Sequence, residues 1–438
     1  MNKYINPSGF VENLPHEQLV EDRLKEMMAK GAELYGYNRL ETASVEYMDT
    51  LASEGAITKE IYTISRAQAE GDSKESDRGL HFDLTVPFAR YVAQHQGEIQ
   101  FPFRRYQIQK VWRGERPQKG RFREFYQADI DVVAQESLSP YFDAEVASAM
   151  AYILNSFNIG NITIHINNRK LLNGLLESYG ISMTNGVLQA IDKIDKIGSS
   201  EVVRLLFEDM GYDRVSVENL FSVIGTPIPS EEVEIFLSKI NGTNPSLSEG
   251  KTELLQLFSS LPDKEKIPNV SFKFNPRIAR GLDYYTGTVY ESTINGFEKY
   301  GSICSGGRYA DLASRFTNKK LPGVGLSIGL SRLLSIIKEE KLMDFSQQTK
   351  CLVTVCLIDE ECRSSSLSAS DQLRFNNINV EMNQKSTIAL GKQLSTAEKK
   401  GVPYALVCEK DNTYTLYTLN SGKQTYNNIE EIIKSISK

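Results

Sequence analysis

The stretch from Arg104 to Asp131 concentrates the residues that could do chemistry. Six arginines and two lysines lie between positions 104 and 123 against one acid, Glu115, a local charge of +7 in a chain whose net charge is −6. Carboxylates and an amide follow at Gln127, Asp129 and Asp131. Guanidinium groups suit phosphates and carboxylates, and carboxylates suit an ammonium group. A substrate with an anionic phosphate end and a cationic amino end would therefore fit this surface. The competing reading is a solvated edge hairpin whose charges discourage aggregation.

Period-two alternation shows what must position these groups. Tyr106, Ile108 and Trp112 share one face of a first strand, with Gln107, Gln109 and Arg113 on the other. After the loop Gly114–Gly120, Phe122, Tyr126, Ile130 and Val132 alternate with Arg123, Gln127, Asp129 and Asp131. This pattern predicts a long antiparallel hairpin. Upstream, Leu19–Tyr35 has helical spacing and Gly36 stops it. Leu40–Leu51 reads as a strand entering a helix. Asp83 and Thr85 are expected on one strand face, with Pro87 at a first helical position. A helix over Asp143–Phe157 and an alternating strand, NITIHIN, come next.

Between residues 168 and 268 helical periodicity with Lys, Asp and Ser replaces the Arg- and Gly-rich character, which predicts a helical insertion. Strand patterns resume in VSFKF and in RGLDYYTGTVYEST, and continue to GSICSGGRYADL. GVGLSIGLSRLLSIIKEEKL then reads as a glycine-rich strand running into an amphipathic helix. Past a linker at Gln347–Thr349 the order β-α-β-α-β predicts a small parallel-sheet domain over 350–438.

The bulk properties exclude several classes. At 438 residues the chain has room for about three domains. A pI near 5.6 argues against a general polyanion binder. No apolar run approaches the ~20 residues of a membrane span, and MNKYINPSGFVENL lacks a signal-peptide core. The five cysteines show no C-x-x-C spacing and the four histidines are scattered, so no metal site is expected in the protein. A reducing, cytoplasmic setting is the simplest. No G-x-x-x-x-G-K-[ST] occurs, and Gly323, Gly325 and Gly329 miss the dinucleotide spacing by one.

Three separated segments together carry a family resemblance: RGERPQKGRFREFYQADID, RGLDYYTGTVYE from Arg280, and GVGLSIGLSRL ending at residue 333. The set resembles the histidyl-tRNA synthetase family, within the class II aminoacyl-tRNA synthetases. RGLDYYTG is the family's own signature, while the other two are shared across the class. The resemblance implies an α+β fold, an antiparallel sheet flanked by helices. Its catalytic core would be discontinuous, 1–167 and 269–346, with the helical insertion between and an α/β anticodon-binding domain at the end. It implies ATP with Mg²⁺, histidine and tRNA(His) as substrates, and a homodimer with no membrane association. Arg113 would grip the ATP α-phosphate and the histidine carboxylate, and Arg280 would stand on the opposite side of that phosphate. Glu115 would meet the adenine end, Arg121 the outer phosphates and Arg332 the γ-phosphate. Asp83, Thr85 and Gln127 would hold the α-amino group. Asp131 and Tyr285 would face the imidazole from two sides, with Tyr284 and Tyr309 completing the wall. The family's dimer motif usually reads T-P-x-x-E, whereas residues 42–46 read TASVE. Asp83 and Asp131 stand where many bacterial members have glutamate. A non-catalytic regulatory relative, or a class II synthetase for another amino acid, are the alternatives. Arg113, Arg280 and Arg332 together with the C-terminal domain speak against the first, and Asp131 with RGLDYYTG against the second.

Overall fold

The structure, a computed structural model, describes residues 5–52, 60–66, 77–240, 242, 244–278, 285–310, 313, 315–411, 413–419 and 421–436. The chain divides into two compact units, residues 1–11 with 24–342 and residues 12–23 with 343–438. Among the described residues no helix is long and apolar enough to cross a membrane.

In chain order the first unit contains β1 (Asn38–Arg39), β2 (Val45–Tyr47), β3 (Arg78–Leu80), β4 (Phe103–Trp112), β5 (Glu124–Val133) and β6 (Ile162–Asn168). β7 (Ile228–Pro229), β8 (Val270–Phe274), β9 (Tyr285–Ile294), β10 (Cys304–Tyr309) and β11 (Gly323–Gly329) follow. Nine of them form one sheet in the order β1-β4-β5-β11-β10-β9-β6-β8-β7, while β2 and β3 pair separately. The nine-stranded sheet is antiparallel except where β1 meets β4 and β6 meets β8. The expected hairpin is present as β4–β5, ten residues in each strand.

The hairpin face opposite the Gln107–Asp129 row carries most of its apolar residues, together with Arg104, Lys110 and Glu124. Tyr106, Ile130 and Val132 are buried. Helix Tyr141–Phe157 packs against β5 and β11, and helix Leu330–Glu339 against β5. The first of these helices carries four alanines and buries most of its length, with Tyr141 and Tyr152 exposed. It ends at Asn158 in the left-handed conformation (φ +51°), a common way to stop a helix. Asp143 is buried in this packing. It accepts hydrogen bonds from Thr288 Oγ1 at 2.7 Å and Arg308 Nε at 3.0 Å.

Helix Pro15–Leu34 begins four residues before the predicted periodicity, and Glu17 accepts the N–H of Leu14 at 2.9 Å. The insertion helices are capped by their own sequence. Asn168 accepts the N–H groups of Lys170 and Leu171, and Asn244 does the same for Ser246 and Leu247 ahead of Pro245. The short strand β7 inside this segment departs from an all-helical expectation, because it borrows its ladder from β8. Asp83 and Thr85 depart more clearly. They do not share a strand face, since β3 ends at Leu80 and Thr85 already opens helix Thr85–His95. Pro87 is the third helical residue, not the first.

The second unit holds β12 (Val353–Cys356), β13 (Val380–Met382), β14 (Tyr404–Cys408), β15 (Tyr414–Thr418) and β16 (Gly422–Tyr426), ordered β13-β12-β14-β15-β16. β12 runs parallel to both β13 and β14, as the β-α-β-α-β pattern predicts. β15 and β16 are antiparallel additions, and helix Ile429–Ile436 closes on the core through Ile429 and Ile432. The sheet is therefore mixed and not purely parallel.

Arg308→Ala tests the packing beneath the sheet. It would leave the Asp143 carboxylate buried without its cation, which typically costs about 3–5 kcal/mol. A clear fall in melting temperature is expected, and a melt unchanged from the parent would show that Asp143 has other compensation.

Candidate active site

Register assembles the polar face of the sheet. Across the hairpin Arg105 pairs with Asp131, Gln107 with Asp129 and Gln109 with Gln127. β11 continues each row, setting Gly325 beside Asp131, Ser327 beside Asp129 and Gly329 beside Gln127. Cross-strand neighbours on one face lie about 5 Å apart, so seven polar side chains share a small area. Burial falls along the hairpin, from Arg105 and Asp131, which are buried, to Gln109 and Gln127, which are half-buried.

At the buried end Arg105 is fully enclosed (0% exposed). Its Nη2 lies 2.9 Å from Asp131 Oδ2 and 3.8 Å from Asp129 Oδ2. The same nitrogen donates to the Leu84 carbonyl at 3.5 Å, and the guanidinium carbon stands 4.3 Å from the centre of the Phe88 ring. The Tyr309 hydroxyl donates to Asp131 Oδ1 at 3.2 Å. Glycine is required on the neighbouring strand, because a Cβ on Gly325 would overlap the Asp131 carboxylate and one on Gly323 the Tyr309 ring. The G-x-G-x-x-x-G spacing thus makes room for side chains of the adjacent strands.

Asp83 lies in the loop that leads into helix Thr85–His95 and accepts the N–H of Val86 at 3.2 Å. Burial pushes its carboxyl up to about 6, with Arg113 and Arg105 pulling the other way. Burial pushes Asp129 up to about 7, opposed by Arg105 and reinforced by Asp131. Asp131 is also raised by burial, and Arg105 and the Tyr309 hydroxyl oppose the shift. Three buried carboxylates thus gather around one guanidinium.

The other predicted residues fall in two groups. Gln127 donates from Nε2 to Ser327 Oγ at 2.8 Å. Arg113, just past the end of β4, donates from Nε to the Phe82 carbonyl at 3.0 Å and lies over the Phe125 ring, 5.2 Å from its centre. Tyr285 begins β9 opposite Tyr309. Thr85 is half-buried at the first position of its helix. The second group is cationic and more open. Arg121 is exposed and lies 3.6 Å from Glu115. Arg332 is half-buried, donates to the Tyr300 carbonyl and approaches Gly120 of the hairpin loop. Arg332 is lowered by burial and by the nearby charge of Arg121. Arg280 and Tyr284 lie outside the described residues. Arg105 has no place among the sequence-derived candidates, although alternation from Gln107 and Gln109 puts it on their face.

The arrangement offers buried acceptors with a phenol at one end and guanidinium groups at the other. Residues 9–333 match the family described as histidyl-tRNA synthetase. The chain belongs to that family. Residues 350–438 match an anticodon binding domain. Histidine–tRNA ligases of Thermobifida fusca and Micrococcus luteus are similar to it. The first is 43% identical over 91% of this chain and 90% of its own length, the second 39% over 97% and 95%. The crystal structure of histidyl-tRNA synthetase from Nostoc sp. PCC 7120 is 33% identical with a TM-score of 0.90, covering 100% of this chain and 99% of that one.

Asp129 gives this synthetase a pH signature. Its folded carboxyl holds a proton up to about pH 7, whereas an unfolded one releases it near 4. Between those values the folded chain binds more protons than the unfolded, so this group's contribution to stability falls as pH rises. Asp129→Asn removes the effect. The variant should gain on the parent by a few degrees in melting temperature between pH 5 and pH 8, and an unchanged difference would show that Asp129 is ionised throughout.

Proposed function

We propose that the chain is an ATP-dependent histidine–tRNA ligase that forms histidyl-adenylate and then esterifies the 3′ end of tRNA(His). The observation that carries the reading is Asp131, a buried carboxylate fixed by Arg105 and Tyr309, at one end of a polar row whose other end carries phosphate-binding cations. A neutral imidazole has one donor and one acceptor nitrogen, so recognition needs an acceptor and a donor. Asp131 supplies the acceptor and the Tyr285 hydroxyl the donor. Asp83, Thr85 and Gln127 hold the α-amino group, while Tyr284 and Tyr309 wall the pocket.

The histidine carboxylate attacks the ATP α-phosphorus, the bond to the bridging oxygen breaks and pyrophosphate leaves. Negative charge on the α-phosphate is met by Arg113 on one side and Arg280 on the other, fixed cations that need no reorganisation. Arg121 and Arg332 take the outer phosphates and Glu115 the adenine end. Mg²⁺ arrives as part of the substrate, on the ATP phosphates. In the second step a terminal hydroxyl of tRNA attacks the acyl carbon and AMP departs. The loop Gly114–Gly120 lies against the acceptor end, residues 168–268 form an insertion module, and 350–438 read the anticodon. The chain works in the cytoplasm as a homodimer through Leu40–Leu51, with Ala43 in place of the family's proline.

Pyrophosphate exchange measured with each of the twenty amino acids tests the reading. Exchange should depend on histidine, with discrimination on the order of 10⁴ against amino acids that cannot satisfy the buried polar groups. Comparable exchange with glutamine, or none with histidine, would sink it. Light scattering at micromolar concentration should return twice the 49.3 kDa chain mass, and a clean monomer would remove the dimer.

A further inference from the structure

We propose that Arg105, which nothing above assigns to substrate, is a specificity-determining positioning residue that keeps Asp131 oriented as an acceptor for the imidazole ring. The inference rests on the ligase reading and goes one layer beneath it. Arg105 cannot touch a ligand itself, because it is fully buried and its plane lies on Phe88. Its influence runs through Asp131, whose two oxygens receive Arg105 Nη2 at 2.9 Å and the Tyr309 hydroxyl at 3.2 Å. An ionised carboxylate has about four acceptor positions, so one ion pair and one hydrogen bond hold it in place and leave capacity for a ring N–H.

Electrostatics makes the guanidinium necessary. Asp131 is enclosed (4% exposed), as are Asp129 and Asp83. Burial alone favours a neutral carboxyl, which would present a proton to the ring in place of a lone pair. Arg105 is the nearest cation and reaches both Asp131 and Asp129, but the distances are unequal, 2.9 Å against 3.8 Å. The favoured partner is Asp131. Asp129 is left as the carboxylate with the weaker claim, and its Oδ1 has no hydrogen-bond partner among the described residues. The strand register fixes this preference, since Arg105 stands directly opposite Asp131 and Asp129 opposite Gln107. A buried guanidinium is thereby spent on aiming one recognition group.

Pyrophosphate exchange by the full chain, with the Michaelis constants for histidine and ATP determined separately, tests the inference. Arg105→Met should raise the histidine KM on the order of 10- to 100-fold, the loss expected for a charged hydrogen bond, and leave the ATP KM within about twofold. Arg105→Lys keeps the charge but loses the guanidinium packed 4.3 Å from the Phe88 ring centre, and should recover only part of the loss. Arg105→Met leaves Asp129 and Asp131 without their shared cation, so loss of folding is the outcome to control for. The double variant Arg105→Met/Asp129→Asn removes one of them, and its histidine KM should still be raised. A histidine KM near the parent's in the folded Met, Lys or double variant would overturn the inference, since Arg105 would then only balance charge. Histidine and ATP constants rising together would overturn it as well, as general damage to the fold. A parent protein lacking histidine-dependent exchange would overturn the ligase reading and this inference together. A histidine-dependent parent with unaffected variants would overturn this inference alone.

Discussion

Burying one guanidinium among three carboxylates is the constraint on which the rest of the structure depends. Removing such groups from water costs several kcal/mol per ion unless geometry and hydrogen bonding compensate. Here the compensation comes from four directions. β5 supplies Asp129 and Asp131, the loop before helix Thr85–His95 supplies the Leu84 carbonyl, that helix supplies the Phe88 ring, and β10 supplies the Tyr309 hydroxyl. A one-residue slip of β4 against β5 would turn Arg105, Gln107 and Gln109 to the opposite face and leave Asp129 and Asp131 without them. The cost of that slip specifies the register, and with it the position of every group along the row.

The same group ties helix Thr85–His95 to the sheet. Leu84 and Phe88 face Arg105, and the Phe82 carbonyl accepts from Arg113. A short run of residues is thereby held to both ends of β4. The buried acceptors and the more open cations then sit in different surroundings. Asp131 and Tyr309 are buried and joined by a hydrogen bond from the Tyr309 hydroxyl, whereas Arg121 is exposed and Glu115 and Arg332 are half-buried. A low-dielectric, fixed end suits discrimination between amino-acid side chains, because unmet polar groups there are costly. A more hydrated, cationic end suits a polyphosphate that must enter and leave.

Much of this was legible in local pattern. Alternation in YQIQKVW and FYQADIDVV sets the hairpin and its two faces without reference to any partner strand. Helix Tyr141–Phe157, the helical run after Asn168 and the β-α-β-α-β tail have equally local signatures. What escaped depends on non-local pairing. Arg105 reads as one more cation in a basic stretch until Asp131, Phe88 and Leu84 surround it. Asp83 looks like a strand residue because the FDLT sequence alternates, yet Thr85 starts a helix and the carboxylate meets the N–H of Val86. Gly323 and Gly325 miss the dinucleotide spacing and point to close packing, but only β10 and β5 show that the groups they make room for are Tyr309 and Asp131. β15 and β16 lie outside the β-α-β-α-β pattern because their ladder depends on the edge that β14 offers.

The shorter carboxylate at position 131 follows from the same geometry. Oδ1 of Asp131 already occupies the space a Cβ on Gly325 would take, so a side chain longer by one methylene could not extend in that direction with Arg105 in place. Overpacked cores of this kind typically cost about 1–3 kcal/mol. Aspartate at 131, arginine at 105 and glycine at 325 therefore act as one unit. Arginine fills the depth that the short carboxylate leaves, the carboxylate neutralises the arginine, and the glycine lets the third strand close against both. Changing any one alone breaks either a charge balance or a packing contact. The composition of this pocket is thus settled as much by what must be buried together as by the ligand it would meet.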